Sequence, residues 1–221
     1  MRIIIIFTMG ILLILGCGRG GSGLEFSGTL EMTEHQLGAK AAGRLVTLTV
    51  DDGSVVKAEQ IIATLDRFEQ NKKDFERAEA LFKQGGADAQ TVEYARLNME
   101  DQAVVSPIDG VVLVKVHELG EIVTAGSAVA VIGDPKDQWV RVFVPQGQIN
   151  RVQQGQKAWI SFDGLKQVYA GHVRYIATKA EFTPRNVQTA EERVTQAFAV
   201  KVAVDAPDLQ AHPGVAANVR L

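Results

Sequence analysis

GRLVTLTVDDGSVVKAEQIIATLD, residues 43–66, and GVVLVKVHELGEIVTAGSAVAVIGD, residues 110–134, are two copies of one pattern. Offset by 67, they align without a gap. Gly43 meets Gly110, Val46 meets Leu113, Gly53 meets Gly120, Val55-Val56 meets Ile122-Val123, Ala58 meets Ala125 and Ile62 meets Val129. Each copy reads as strand, turn, strand. Asp51-Asp52-Gly53 and His117-Glu118-Leu119-Gly120 supply the turns, where glycine takes a positive φ without a Cβ penalty. Neither copy is large enough to bury its own apolar face, so the two should pack together as one small β-sandwich. Val55, Ile62, Val112 and Val129 are the candidates for its interior.

The segment between the copies has a different period. RFEQNKKDFERAEALFKQ, residues 67–84, carries Phe68, Phe75, Ala78 and Phe82 at helical spacing, with Glu69 and Lys73 at i,i+4 in the favourable order. Gly85-Gly86 ends that helix and Asp88 caps the next. AQTVEYARLNMEDQ, residues 89–102, puts Val92, Ala95, Met99 and Gln102 or Ala103 on one stripe. Two helices joined by a short glycine turn make an antiparallel hairpin, about 25 Å long at a rise of about 1.5 Å per residue. The chain thus leaves the sandwich, runs out along one helix, returns along the other and completes the sandwich.

Alternation resumes after Asp134, in residues 139–144 (WVRVFV), 155–163, 170–177 and 197–204, with a turn and strand in HPGVAANVRL, 212–221. PQGQINRV, 145–152, reads as one helical turn between strands. With EFSGTLEM, 25–32, these strands suffice for a small antiparallel barrel.

The amino terminus, MRIIIIFTMGILLIL, has one cation and then an apolar run. Ile3 to Leu15 is too short for a membrane span but fits the apolar region of a secretion signal. The literal GxGxxG at Gly16, Gly18 and Gly21 is no dinucleotide loop, because LEFSGTLEMTEH follows and lacks an amphipathic helix period. The run ends Ile14-Leu15-Gly16-Cys17, which resembles a bacterial lipobox. That resemblance implies an acylated Cys17 as the first mature residue, with Arg19 to Gly23 as a flexible tether. The alternative is a plain signal peptide with a chance cysteine.

Composition narrows the function. The formal net charge is −3 and no run of Lys or Arg appears, which excludes nucleic acid as a partner. With one cysteine the chain makes no internal disulfide, and with 6% aromatic residues its core must be aliphatic. His35, His117, His172 and His212 are scattered, without an HxxxH or HExxH pair, so no metal site is expected. Ser106 lies in SPIDG, a turn into a strand. Asp51 and Asp52 are explained by turn solvation. No GxxxxGK[ST] occurs. Neither a catalytic residue nor a cofactor is expected.

A split repeat around a helical hairpin, then a barrel, resembles the HlyD-like membrane fusion proteins, the periplasmic adaptor subunits of export systems. The stretches that carry the resemblance are GRLVTLTVDDGSVVKAEQIIATLD, VVSPIDGVVLVKVHELGEIVTAGSAVAVIGD and HPGVAANVRL. EFTPRNVQTAEERV resembles a segment typical of adaptors that serve ABC-type exporters. The resemblance implies a mostly β fold: a lipoyl-like β-sandwich split by a short antiparallel coiled-coil hairpin, followed by an antiparallel β-barrel. The expected parts are a signal peptide (1–16), a lipid tether and first barrel strand (17–34), lipoyl-like half one (35–66), the hairpin (67–103), half two (104–135), and the barrel with a membrane-proximal region (136–221).

The resemblance also implies a role. Such adaptors sit in the periplasm, here held to the inner membrane by lipid, and form homo-oligomeric rings. They link an inner-membrane transporter, here an ABC permease, to an outer-membrane channel. In the family the hairpin tip meets the channel through an Arg-Leu-Ser pattern. Arg77 and Leu81 match it, and Asp88 stands at the serine position. Two other readings remain open on sequence: a lipoyl- or biotin-type carrier domain of an enzyme complex, and a surface lipoprotein that binds a small ligand in its barrel.

Overall fold

Two long antiparallel strands form the spine on which both β bodies are built. The computed structural model describes residues 23–182, 196–206, 209 and 211–221. In chain order its strands are β1 (Glu25–Gly38), β2 (Gly43–Leu48), β3 (Val55–Val56) and β4 (Ile61–Leu65). The helices α1 (Phe68–Lys83) and α2 (Ala89–Glu100) follow. Then come β5 (Ala103–Val105), β6 (Gly110–Lys115), β7 (Ile122–Val123) and β8 (Ala128–Pro145). After the short α3 (Gln146–Ile149), the chain ends with β9 (Lys157–Phe162), β10 (Val168–Ile176), β11 (Glu181–Phe182), β12 (Gln196–Val204) and β13 (Ala216–Arg220).

β1 and β8 pair over almost all of β1. Gly28 to Met32 face Val142 to Gln138, and Thr33 to Gly38 face Asp134 to Ala128. The register jumps between Met32 and Thr33, so Pro135, Lys136 and Asp137 have no partner on β1. This bulge divides the ribbon in two. Beyond it on one side, β1 and β8 join β13, β9, β10 and β12 in sequence, and β12 pairs back onto β8, closing a barrel of six strands. The alternation of WVRVFV explains the wall: Val140, Val142 and Val144 face inward with Leu30, Ile160, Val173, Val200, Val202 and Val219, while Trp139, Arg141 and Phe143 take the opposite face.

On the other side, β1 and β8 continue into the sandwich. One sheet has the order β1-β8-β6-β3 and the other β5-β4-β2-β7. Adding 67 to each strand of the first repeat copy gives its counterpart in the other sheet: β2 is matched by β6, β3 by β7, and β4 by the start of β8. The two sheets are thus equivalent. Their core follows the same rule. Leu37 and Val104, Leu45 and Val112, Val56 and Val123, Ile62 and Val129, Ala63 and Ala130, and Leu65 and Ile132 are all buried pairs of repeat equivalents.

Val55, expected inside, is instead 78% exposed, as is its counterpart Ile122 at 70%. Ile62, Val112 and Val129 are buried as expected. β3 and β7 are only two residues long, so parity alone decides the face. Val56 and Val123 take the inside and their predecessors point to water.

Candidate functional site

The hairpin replaces the tight turn that would otherwise join β4 to β5. Its base is closed by Leu65 N–H donating to the Gln102 carbonyl at 2.9 Å. Across the hairpin, the Asn71 side-chain amide donates to the Asn98 carbonyl at 2.9 Å. Ala78 is the one buried residue of α1, and α2 has none. Among the described residues the two helices pack chiefly on each other, and such a pair cannot enclose large side chains. Phe82, expected on the buried stripe, is therefore 47% exposed, beside Leu81 at 44%.

The tip is built by local backbone chemistry. Gly85 sits at φ +76, its N–H bonds the Phe82 carbonyl at 2.9 Å, and Gly86 N–H reaches back to the Leu81 carbonyl at 2.8 Å. This pair of bonds satisfies carbonyls that the end of α1 would leave open. Asp88 then starts α2 by accepting from the Thr91 backbone N–H at 2.7 Å. Bonding to Thr91 holds the Asp88 carboxyl below the ordinary carboxylate range, as expected for an anion at a helix start. Below the tip, Arg77 donates to Asp74 at 2.9 Å, and the Gln70 amide donates to the same carboxylate at 3.2 Å. The Arg77 side chain remains largely exposed. Arg77 and Leu81 thus stand one helical turn apart on α1, with the Asp88 cap at the start of the returning helix.

The split sandwich is shared with known proteins. A family model described as "RND MFP, barrel-sandwich hybrid domain" matches residues 34–134, from the middle of β1 into β8. Over these residues the chain is similar to membrane fusion proteins. The UPF0194 membrane protein in the asrC 5′ region of Acidithiobacillus ferridurans is 29% identical over 201 residues, which are 86% of this chain and 59% of that protein. The chain therefore spans little more than half the length of this relative. Among solved structures, a MacA-MexA chimeric protein containing the Pseudomonas aeruginosa MexA α-hairpin domain matches with a TM-score of 0.64 at 19% identity, covering 90% of this chain and 80% of that one. ZneB from Cupriavidus metallidurans matches with a TM-score of 0.58 at 20% identity, covering 90% and 97%. At these identities the likeness is one of fold.

Cys17 and the signal segment lie outside the described residues, as does most of EFTPRNVQTAEERV. No helix among the described residues is long and apolar enough to cross a membrane.

The chain has a second structured locus, which no sequence motif singles out. On the outer barrel wall, beside the β1/β8 bulge, the Trp139 indole N–H donates to Glu31 at 3.0 Å. Lys201 Nζ lies 4.1 Å from the centre of the Trp139 ring, and the Arg174 guanidinium carbon lies 5.9 Å from it. Arg174 is ion-paired with Asp137, the bulge residue, which also accepts from the Thr33 hydroxyl. Thr33 first, and Arg174 second, hold the Asp137 carboxyl below its ordinary range. Next to them a cleft of about 450 Å³ opens, lined by Thr33, Trp139, Arg174, Tyr175 and Lys201. One signal does exist in the sequence: Trp139, Arg174 and Lys201 interrupt three alternating strands on their polar parity.

Proposed function

We propose that the chain is a periplasmic adaptor of an efflux system. Acylated at Cys17, it is held at the inner membrane, oligomerises as a ring, and joins an inner-membrane transporter to an outer-membrane channel. It acts as a scaffold and not as a catalyst. The observation that carries this reading is the insertion of a two-helix arm between the halves of a two-fold sandwich. A carrier needs its lysine on a tight turn at that position, and here β4 is joined to β5 through α1 and α2. The arm presents exposed Arg77 and Leu81 near a rigidly capped tip, which suits contact with another protein.

The partner at the inner membrane is read as an ABC-type permease, on the likeness of EFTPRNVQTAEERV to adaptors of such exporters. A second reading is an RND-type transporter, favoured by the similarity of residues 34–134 to the barrel-sandwich hybrid domain of RND-type membrane fusion proteins. Affinity purification of the tagged full-length protein from membranes, followed by mass spectrometry of what accompanies it, tests both. An ABC permease and its ATPase are the expected companions. An RND transporter in their place establishes the second reading. A monomer that retains neither overturns the adaptor role.

A further inference from the structure

We propose that the cleft beside Trp139 binds an organic anion, a carboxylate or sulfonate attached to a flat apolar group, where the barrel meets the sandwich. The site goes beyond the adaptor role and does not depend on it.

Charge points to the ligand's sign. Two cations, Arg174 and Lys201, line the cleft, and one carboxylate, Asp137, stands beside them. That carboxylate is already engaged by Arg174 and Thr33. Among the described residues Lys201 forms no ion pair. Its ammonium rests instead on the face of Trp139, which leaves hydrogens free to donate to an incoming anion. Glu31, the other nearby acid, is turned to the indole N–H and to Arg141 at 3.7 Å. The lining itself therefore carries two cations and no carboxylate, and the two acids beside it, Asp137 and Glu31, are already bonded.

Shape points to the rest of the ligand. The bond to Glu31 fixes the plane of the indole. Tyr175, 47% exposed, adds a second aromatic edge with a hydroxyl. A volume of about 450 Å³ accommodates a ligand the size of a substituted naphthalene. Small sites of this kind combine apolar walls with a few placed polar groups, and this one offers two cations and two hydroxyls.

The chain contains two tryptophans, so the indole N–H resonances of the full-length protein provide a probe and a control. Trp159 is 56% exposed and lines no part of this cleft. Titration with naphthalenesulfonate should move the Trp139 resonance saturably and leave that of Trp159 in place. Neutral naphthalenemethanol should bind at least about tenfold more weakly. Lys201→Gln should weaken sulfonate binding by about tenfold, the loss expected for one charge-assisted hydrogen bond, without changing the response to the neutral analogue. An unmoved Trp159 resonance in Lys201→Gln shows that the fold is intact. The proposal is overturned if both indoles shift alike, if naphthylmethylamine binds as tightly as the sulfonate, or if a folded Lys201→Gln keeps full sulfonate affinity.

Discussion

Glu59 and Gly126 occupy the same position of the repeat, 67 residues apart, and both take a left-handed backbone, φ +64 and φ +88. Each donates its N–H across the two-fold axis at 2.8 Å, Glu59 to the Ser106 carbonyl and Gly126 to that of Ala39. One half of the sandwich thus meets a turn requirement with glycine and the other bears it with a side chain. The space that a Cβ on Gly126 would enter is open, so only the backbone opposes a substitution. Gly126→Ala should cost about 1 kcal/mol, the penalty for an L side chain at positive φ. Glu59→Gly should gain up to about 1 kcal/mol, because relief of strain is partly offset by a more flexible unfolded chain. Urea midpoints of the two variants should move in opposite directions; equal shifts would show that the turns are not equivalent.

The buried pairs of the sandwich make a sharper contrast. Ile62 is fully buried and Val55 mostly exposed. Ile62→Ala should cost about 2–5 kcal/mol through lost burial and the remaining cavity. Val55→Ala should change stability by less than about 0.5 kcal/mol, as surface substitutions do. Denaturant unfolding measures both, and similar losses at the two sites would contradict the observed facing of β3.

The hairpin tip separates contact from stability. Arg77 gives up only an exposed bond to Asp74, and exposed pairs contribute at most about 1 kcal/mol. Arg77→Ala and Leu81→Ala should leave the melting temperature almost unchanged while reducing efflux in cells. Asp88→Ser keeps a capping oxygen and should preserve helicity by circular dichroism, whereas Asp88→Ala should lower it. If Arg77→Ala and Leu81→Ala export at the wild-type level, the tip is not the docking site.

Acid should loosen the seam between barrel and sandwich. The Asp137 carboxyl is held below its ordinary value of 3.8 by Thr33 and Arg174. A depressed carboxylate adds stability above the unfolded-state value and loses it as pH falls through the folded-state value. Wild-type stability should therefore fall more steeply than that of Asp137→Asn once the pH drops below about 4. Parallel pH profiles for the two proteins would remove Asp137 from the account.

Cys17 is testable by location. Cys17→Ala should leave the precursor uncleaved or release the chain from membranes, because acyl chains add about 0.8 kcal/mol per buried methylene. Unchanged processing, with extraction still requiring detergent, would rule out the lipid anchor.

Much of the architecture is legible because the repeat constrains itself twice. The offset of 67 predicts the matched pairs β2 and β6, and β3 and β7, since each copy faces the same burial problem. The helices are legible from spacing and from Gly85, Gly86 and Asp88. Other features yield to tertiary context. Gly133-Asp134-Pro135-Lys136 is turn chemistry, yet β8 passes through it because β1 pairs on both sides. Val55 is misplaced by pattern alone because a strand of two residues has no alternation to read. Phe82 has a core residue's spacing but lacks a third element to cover it. The Trp139 cluster joins residues from β1, β8, β10 and β12, and no local pattern links them.

The shared ribbon also determines how the molecule carries load. Between the barrel and the sandwich the connection is two hydrogen-bonded strands and not a single linker. A pull along β1 or β8 is met by ladder bonds acting in parallel, in shear, instead of breaking one after another as in peeling. The three unpaired residues at Pro135–Asp137 interrupt that ladder. A bending load would therefore find its weakest point there, beside the Asp137–Arg174 ion pair.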